Sequence, residues 1–237
     1  MISGDLYIVF AKFVAAIIIG YLLGSIPFGV LLARRYAKLD VRKYGSGKIG
    51  AANVLRTVGR KPAAMVAILD IIKGMLAVVF AWLIVDGDYL VVNGLGALSA
   101  EVLAALAAIA GHNWSVFLKF QGGRGVSTYF GGLVALCPQA ALAAIFGGEI
   151  IVIGAGLTRY VSLGSIAGVV GSYAVLVPLT VMNGFPIEYL FYALAGAIII
   201  FVMHRDNIVR LVMGKERKLG EKAGRLAPPS GRAGGVR

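Results

Sequence analysis

Residues 129–157 read YFGGLVALCPQAALAAIFGGEIIVIGAGL, an apolar run of 29 residues whose only charged side chain is Glu149. About 20 helical residues suffice to cross the hydrocarbon core of a membrane. The run is therefore long enough for one long helix or for two helices joined at a break. Cys137-Pro138 and Gly147-Gly148 are the two places where we expect such a break.

The whole chain has the composition of a membrane protein. Of its 237 residues 59% are hydrophobic and 14% are charged, and the mean hydropathy of +0.87 lies outside the range of soluble domains. One cysteine cannot form an internal disulfide. Five further apolar runs of spanning length lie at 7–33, 62–85, 91–111, 162–182 and 188–203.

Basic residues predict the orientation of these spans. Segment 34–61 carries nine Lys or Arg, segment 204–237 carries nine more, and 112–128 and 158–161 together carry three. Segment 86–90 has two Asp and no base. Because Lys and Arg accumulate on the cytoplasmic side of membrane proteins, we expect the four basic segments to lie inside and 86–90 to lie outside.

This assignment decides the path of the run at 129–157. Segments 112–128 and 158–161 share one side only if the run crosses the membrane and returns. We therefore predict an all-α, polytopic transmembrane helical bundle of seven helices, two of them short, with the N-terminus external and the C-terminus cytoplasmic. Residues 1–214 form one transmembrane domain, and 215–237 form a basic, disordered cytoplasmic tail.

The formal net charge of +12 also bears on partners. The bases lie beside apolar spans, where anionic membrane lipid and orientation explain them. We therefore expect membrane lipid as a partner and no nucleic acid.

The first polar loop, residues 45–56, reads GSGKIGAANVLR. Its Gly-x-Gly-x-x-Gly spacing matches a dinucleotide fingerprint, but the βαβ context that this fingerprint needs is missing between two spans. Closely spaced glycines still let backbone N–H groups converge on an anion. Asn53 and Arg56 share one helical face and are expected to point at a phosphate together. The alternative is a linker whose bases only fix topology.

Two further polar loops have similar chemistry. Gly122-Gly123-Arg124-Gly125 surrounds one guanidinium with glycines, which permits close backbone approach and leaves a bidentate phosphate ligand exposed. His204 and Asn207 are three residues apart after the last span and are expected to face the same polar cavity. Within the spans, Pro27 predicts a kink in the first helix, and Asp70 and Lys73 are expected to pair.

These motifs together resemble the bacterial membrane family of acyl-phosphate:glycerol-3-phosphate acyltransferases. In order along the chain they are Gly24-Ser25-Ile26-Pro27-Phe28-Gly29, the loop from Gly45 to Arg56, Leu69-Asp70 with Lys73-Gly74, Gly111-His112, Lys119-Phe120 with Gly122 to Val126, Thr158-Arg159-Tyr160 with Ser162, and His204-Arg205 with Asn207-Ile208. The resemblance covers about residues 20–214. It departs from the family at Lys48, Ala52 and Arg124, where Asn, Thr and Lys are usual.

The resemblance implies a function and a set of site residues. A fatty acyl group would pass from acyl phosphate to the 1-hydroxyl of glycerol 3-phosphate, giving lysophosphatidic acid and phosphate, as the first acylation of phospholipid biosynthesis at the bacterial inner membrane, with the site facing the cytoplasm. The implied catalytic residues are Ser46, Arg56, His204 and Asn207. The implied substrate-binding residues are Gly45, Gly47, Lys48, Gly50, Asn53, His112, Lys119, Gly123, Arg124 and Ser162.

Acyl phosphate is a reactive mixed anhydride, so such an enzyme needs orientation and charge neutralisation more than covalent catalysis. We accordingly expect no metal and no cofactor. His204 is either a base or a phosphate ligand, and we favour the ligand. The competing interpretation is a transporter of an organic phosphate, in which the same arginines would line a site between broken helices.

Overall fold

A computed structural model describes residues 2–85, 96–136 and 138–226 of the chain. These ranges are all-α, as predicted, and besides two 3-10 turns and one isolated bridge between Tyr44 and Arg225 they contain only helices as regular structure. The α-helices are α1 (Ile2–Ser25), α2 (Phe28–Ala37), α3 (Ala51–Thr57), α4 (Arg60–Val85), α5 (Ala97–Asn113), α6 (Val126–Leu136), α7 (Pro138–Thr158), α8 (Val161–Asn183), α9 (Ile187–Met203) and α10 (Arg205–Val212).

Several of these helices are long and apolar enough to cross a membrane. Five such stretches lie within the described ranges, at Leu6–Ala37, Arg60–Val85, Ala97–Leu118, Ala140–Thr158 and Val161–Asn183. Helices α9 and α10 form a sixth if the pair, bent by 59°, counts as one span, and α6 is a shorter apolar helix. The prediction of a multi-pass bundle is confirmed, whereas the count of seven and the orientation stay predictions.

The long run at 129–157 is divided between two helices. Helix α6 ends at Leu136 and α7 begins at Pro138. Cys137, part of one of the two expected breaks, lies outside the described residues, and the other expected break, Gly147-Gly148, lies inside α7. Helix α6 has 11 residues and α7 has 21. The expectation of two short helices is therefore wrong for α7, which reaches spanning length because α6 takes up only residues 129–136 of the apolar run.

A break near Pro27 interrupts the first span as expected. Helix α1 ends at Ser25, and α2 begins at Phe28. The carbonyl oxygen of Ile26, left outside either helix, accepts a hydrogen bond from Lys73 Nζ at 3.1 Å. Lys73 Nζ also lies 2.8 Å from Asp70 Oδ1, which confirms the predicted pair. The buried Asp70–Lys73 pair thus provides a hydrogen-bond donor for the Ile26 carbonyl group, which lies outside the helices because of the break at Pro27.

Glycines bring the spans into close contact. Gly20 and Gly24 of α1 face backbone carbonyl groups of Ala104 and Ala108 on α5, where any added Cβ would overlap the oxygen. Small residues at such crossings let helix backbones approach closely in a membrane. The resulting bundle holds the loops between its helices in fixed relative positions.

Candidate active site

A cavity of about 510 Å³ lies where the polar loops meet at one end of the bundle. It joins segments from Ser46 to Glu216 that are far apart in the sequence, which is what a shared anion site requires. Nine of the predicted site residues line it: Ser46, Lys48, Gly50, Asn53, Arg56, His112, Arg124, Ser162 and His204.

Five predicted residues do not line this cavity. Gly45 lines a neighbouring one. Gly47 sits in a tight turn at φ +70°. Gly123 packs behind the His112 ring, the exposed Lys119 ends a 3-10 turn in the left-handed region, and Asn207 reaches the site only through another side chain.

Asn53 has a different role from the one its spacing predicts. Its Nδ2 donates to the carbonyl oxygens of Val41, Tyr44 and Lys48 at 3.1, 3.1 and 2.8 Å. Its Oδ1 accepts a hydrogen bond from Ser46 N at 3.0 Å. Because the amide is committed to the backbone, the expectation that Asn53 points at a phosphate together with Arg56 is wrong. Asn53 instead fixes the loop that presents Ser46 and Lys48 to the cavity.

The glycine loop around Arg124 is built against His112. Gly123 N donates to the carbonyl oxygen of His112 at 2.9 Å, and the His112 ring fills the place where a Cβ of residue 123 would lie. Gly125 has φ +78°, a backbone conformation that favours glycine. The two glycines therefore hold Arg124 at the cavity wall.

We expect Gly123→Ala to raise the KM for a phosphate substrate about tenfold, because the added methyl group displaces either His112 or the Arg124 loop. Steady-state kinetics would measure this. Gly156→Ala is the matched control, since nothing lies within 4 Å of a Cβ at that position. Equal KM values for the two variants would contradict the packing role of Gly123.

His204 lies at the bend between α9 and α10 and is 1% exposed. Its Nδ1 donates to the carbonyl oxygen of Ile200 at 2.8 Å, so the neutral ring has an unprotonated Nε2. Burial, and then the charge of Arg124, lower the pKa of His204 to about 4. A neutral imidazole accepts a hydrogen bond at Nε2 and does not supply a positive charge to a phosphate.

Sequence analysis missed Glu216, which is 7% exposed and lines the cavity. Its Oε1 accepts hydrogen bonds from Ser162 Oγ at 3.1 Å and Asn207 Nδ2 at 2.7 Å, and its Oε2 accepts one from Arg210 Nε at 2.8 Å. Burial raises the pKa of the Glu216 carboxyl, but the hydrogen bonds from Arg210 and Asn207 outweigh it and hold the pKa below its usual value. The Glu216 carboxylate thereby holds two of the predicted site residues, Ser162 and Asn207, in position.

The segment that contains Glu216 differs from the expected disordered tail. Residues 215–226 are described and contact the loops of the site, whereas 227–237 lie outside the described residues. Arg159 Nη2 donates to the carbonyl oxygen of Leu219 at 3.0 Å. The segment is too polar to be fixed by apolar packing. Hydrogen bonds to its backbone hold it against the loops.

Three basic residues, Lys48, Arg56 and Arg124, line the cavity. Burial lowers the pKa of Lys48 and Arg56, and it lowers the pKa of Arg124 to about 10, so Arg124 stays protonated at neutral pH. Among the described residues, Arg56 Nε and Arg124 Nε have no hydrogen-bond partner. Buried donors without partners are costly, and an anion at this place would satisfy them.

The opposite wall of the cavity is apolar. Its lining passes from the cations to side chains of α6, α7 and α8 that include Phe130, Val134, Ile145, Ile151 and Val161. The cavity therefore combines a positively charged part with an apolar part. A ligand with an anionic head and a hydrocarbon chain matches both parts.

Residues 14–214 match the sequence model of a family described as glycerol-3-phosphate acyltransferase. The chain belongs to this family. It is 60% identical over 215 residues to glycerol-3-phosphate acyltransferase 3 of Dehalococcoides mccartyi. The aligned region covers 90% of this chain and 98% of that protein. It is 44% identical over 207 residues to the glycerol-3-phosphate acyltransferase of Thermus thermophilus, covering 87% and 95% of the two chains.

A solved structure has the same fold. The crystal structure of PlsY (YgiH), an integral membrane glycerol 3-phosphate acyltransferase, in its glycerol 3-phosphate form, superimposes with a TM-score of 0.73 at 32% identity. It covers 88% of this chain and 96% of that chain. The lysophosphatidic acid form of the same enzyme gives a TM-score of 0.71.

Proposed function

We propose that the protein is a membrane acyltransferase that moves a fatty acyl group from acyl phosphate to the 1-hydroxyl of glycerol 3-phosphate. The products are lysophosphatidic acid and phosphate. The observation that carries this proposal is the cavity in which Lys48, Arg56 and Arg124 face an apolar wall. Relatives named glycerol-3-phosphate acyltransferase, and a similar enzyme solved with glycerol 3-phosphate and with lysophosphatidic acid, support it.

The geometry suggests how the reaction proceeds. The cations neutralise the two phosphates and hold them in one cavity, so that the glycerol hydroxyl lies against the acyl carbonyl. The hydroxyl oxygen forms the new ester bond while the bond between the acyl carbon and the phosphate oxygen breaks. The leaving phosphate takes the hydroxyl proton, directly or after the neutral Nε2 of His204 has accepted it. Ser46 and Ser162 offer hydroxyl groups to the phosphates, and the apolar wall receives the acyl chain.

The role of His204 can be tested by its protonation state. We expect the ring to stay neutral, with its proton on Nδ1, down to about pH 5, because its pKa is lowered to about 4. Nitrogen-15 NMR of histidine-labelled protein reports both the charge and the tautomer. The chain has two histidines, and His204→Asn assigns the signals. A cationic His204 at pH 7 would make it a phosphate ligand and exclude the acceptor role.

We further propose that the protein is a bacterial inner-membrane protein of seven helices with an external N-terminus and a cytoplasmic C-terminus. Its active site would face the cytoplasm. The arrangement is supported by the bases of segments 34–61 and 204–237 and by the meeting of both segments at one cavity. Lys38 belongs to the basic segment 34–61, expected inside, and Glu188 to the connection before the last span, expected outside. Single cysteines at these two positions, introduced into a chain without Cys137, should react with a membrane-impermeant thiol reagent from opposite sides.

Reconstituted protein tests the function directly. Given glycerol 3-phosphate and acyl phosphate in a lipid mesophase, it should release phosphate and form lysophosphatidic acid. Acyl-CoA alone should give no turnover, and turnover with acyl-CoA alone would overturn the donor assignment. Uptake of glycerol 3-phosphate into sealed vesicles without acylation would instead identify a transporter.

A further inference from the structure

The chain after α10 is tied to the loops around the active site along most of its described length. Glu216 enters the cavity, and the residues after it follow the outside of the same loops. Backbone hydrogen bonds fix this path: Leu219 N to Arg159 O at 2.6 Å, Ala223 N to Arg56 O at 3.1 Å, Gly45 N to Gly224 O at 3.1 Å, and Leu226 N to Lys43 O at 2.8 Å. Residues 217–226 thus lie against the outside of the active-site loops, and Glu216 is the described residue of this segment that lines the active-site cavity.

A second cavity, of about 270 Å³, lies between this segment and the first polar loop. It is separate from the active-site cavity, and Arg56 lines both. Successive residues of the segment face different cavities, since Glu216 lines the first and Arg217 lines the second. Arg56 Nη2 donates to the carbonyl oxygen of Arg217 at 3.2 Å, so the guanidinium stands at the boundary between the two.

The charges of the second cavity are unbalanced. Arg56, Arg217, Lys222 and Arg225 line it together with one acid, Glu221. The Glu221 carboxylate is already partly engaged, because its Oε2 accepts a hydrogen bond from Lys218 N at 3.0 Å. Four cations against one carboxylate leave an excess of positive charge that a dianion would neutralise.

We propose that the second cavity binds a phosphate dianion, as a separate site on the outer side of Arg56. Guanidinium and ammonium groups around a space of this size suit the oxygens of a phosphate group. The cavity is open and its Lys222 and Arg225 are exposed, so binding is weaker and more sensitive to salt than in the buried active site.

The proposed reaction gives this site a use, and this part of the inference rests on the proposed function. The reaction consumes one phosphate ester and releases inorganic phosphate, and Arg56 contacts both cavities. The second site holds either glycerol 3-phosphate before it enters or phosphate after it leaves. Both ligands present the same dianionic phosphate group to the same cations.

A double variant, Lys222→Ala with Arg225→Ala, tests the proposal. Arg35→Ala with Lys38→Ala is the matched control, because it removes the same charge from two exposed positions that line neither cavity. Phosphorus-31 NMR titration with inorganic phosphate measures binding without turnover. Steady-state kinetics then give kcat, the KM for glycerol 3-phosphate and the inhibition constant of phosphate.

We expect the double variant to bind inorganic phosphate about fivefold more weakly than the control variant, with kcat unchanged. A raised KM for glycerol 3-phosphate would identify the incoming substrate as the occupant, and a raised inhibition constant alone would identify the released phosphate. Binding and kinetics equal to those of the control would overturn the proposal. If wild-type protein bound phosphate at this site but formed no lysophosphatidic acid, the proposed function would fail and the site would stand.

Discussion

Replacing Arg56 with alanine should reduce kcat/KM for glycerol 3-phosphate about 100- to 1000-fold while the protein stays folded. Arg56 lines the active-site cavity, and its Nε has no hydrogen-bond partner among the described residues. The guanidinium is therefore available to a substrate phosphate, and removing one charge-stabilising donor from an active site costs a factor of about 100 to 1000. Phosphate release from acyl phosphate, measured with purified protein, gives the rate.

Two variants make this result specific. Arg60→Ala removes an exposed base four residues away, at the start of α4, and should leave the rate nearly unchanged. Arg56→Lys retains the charge but loses the planar pair of donors, so we expect a rate between those of wild type and Arg56→Ala. A near-normal rate for Arg56→Ala, in protein with an unchanged melting temperature, would remove Arg56 from the site.

The sequence predicts those parts of the structure that depend on local patterns. Apolar runs and Pro27 predict the helices and the break in the first span, because membrane thickness and the missing N–H act on consecutive residues. Asp70 and Lys73 pair as expected because their spacing places both on one helix face. Asn53, Arg56, Arg124 and His204 stand out from the chemistry of their own loops. The full set of nine residues around one cavity depends on the family resemblance, since no local pattern joins distant loops.

Side chains that bond to backbone are harder to predict. Asn53 has the spacing of a ligand, yet its amide serves three carbonyl groups of the preceding loop. Spacing places a side chain on a face but does not show which groups around it lack partners. One feature of the sequence marks Glu216, because it is an acid within a strongly basic segment. The composition of that segment, taken alone, predicts disorder instead.

Glu216 explains how a basic cavity is stable before substrate binds. Its carboxylate is the acceptor for Ser162 of α8 and for Asn207 and Arg210 of α10. It also opposes the mutual repulsion of Arg56 and Arg124. Because Glu216 satisfies these groups, the Nε atoms of Arg56 and Arg124 are left without a partner among the described residues, as the proposed binding of substrate phosphates requires.

Glu216→Ala should therefore lower both stability and activity. Removing the carboxylate leaves the buried Ser162 and Asn207 groups without their acceptor, which costs about 2–3 kcal/mol and for a chain of this size lowers the melting temperature by about 5–10 °C. We expect kcat to fall about 100-fold, since Ser162 and Asn207 lose the group that positions them. Thermal unfolding and phosphate release measure the two effects on the same preparation.

The pH dependence gives a second test of Glu216 that does not rely on turnover. Because its pKa is lowered in the folded protein, the carboxylate stabilises the fold above the ordinary pKa of glutamate, and this contribution disappears as the pH falls through the lowered value. The difference in melting temperature between wild type and Glu216→Ala should accordingly narrow as the pH falls below the ordinary pKa of glutamate, about 4.3. Glu221→Ala, which removes an exposed acid five residues later, should follow wild type. A difference that stays constant over the whole acidic range in which the protein folds would mean that Glu216 acts through packing and not through its charge.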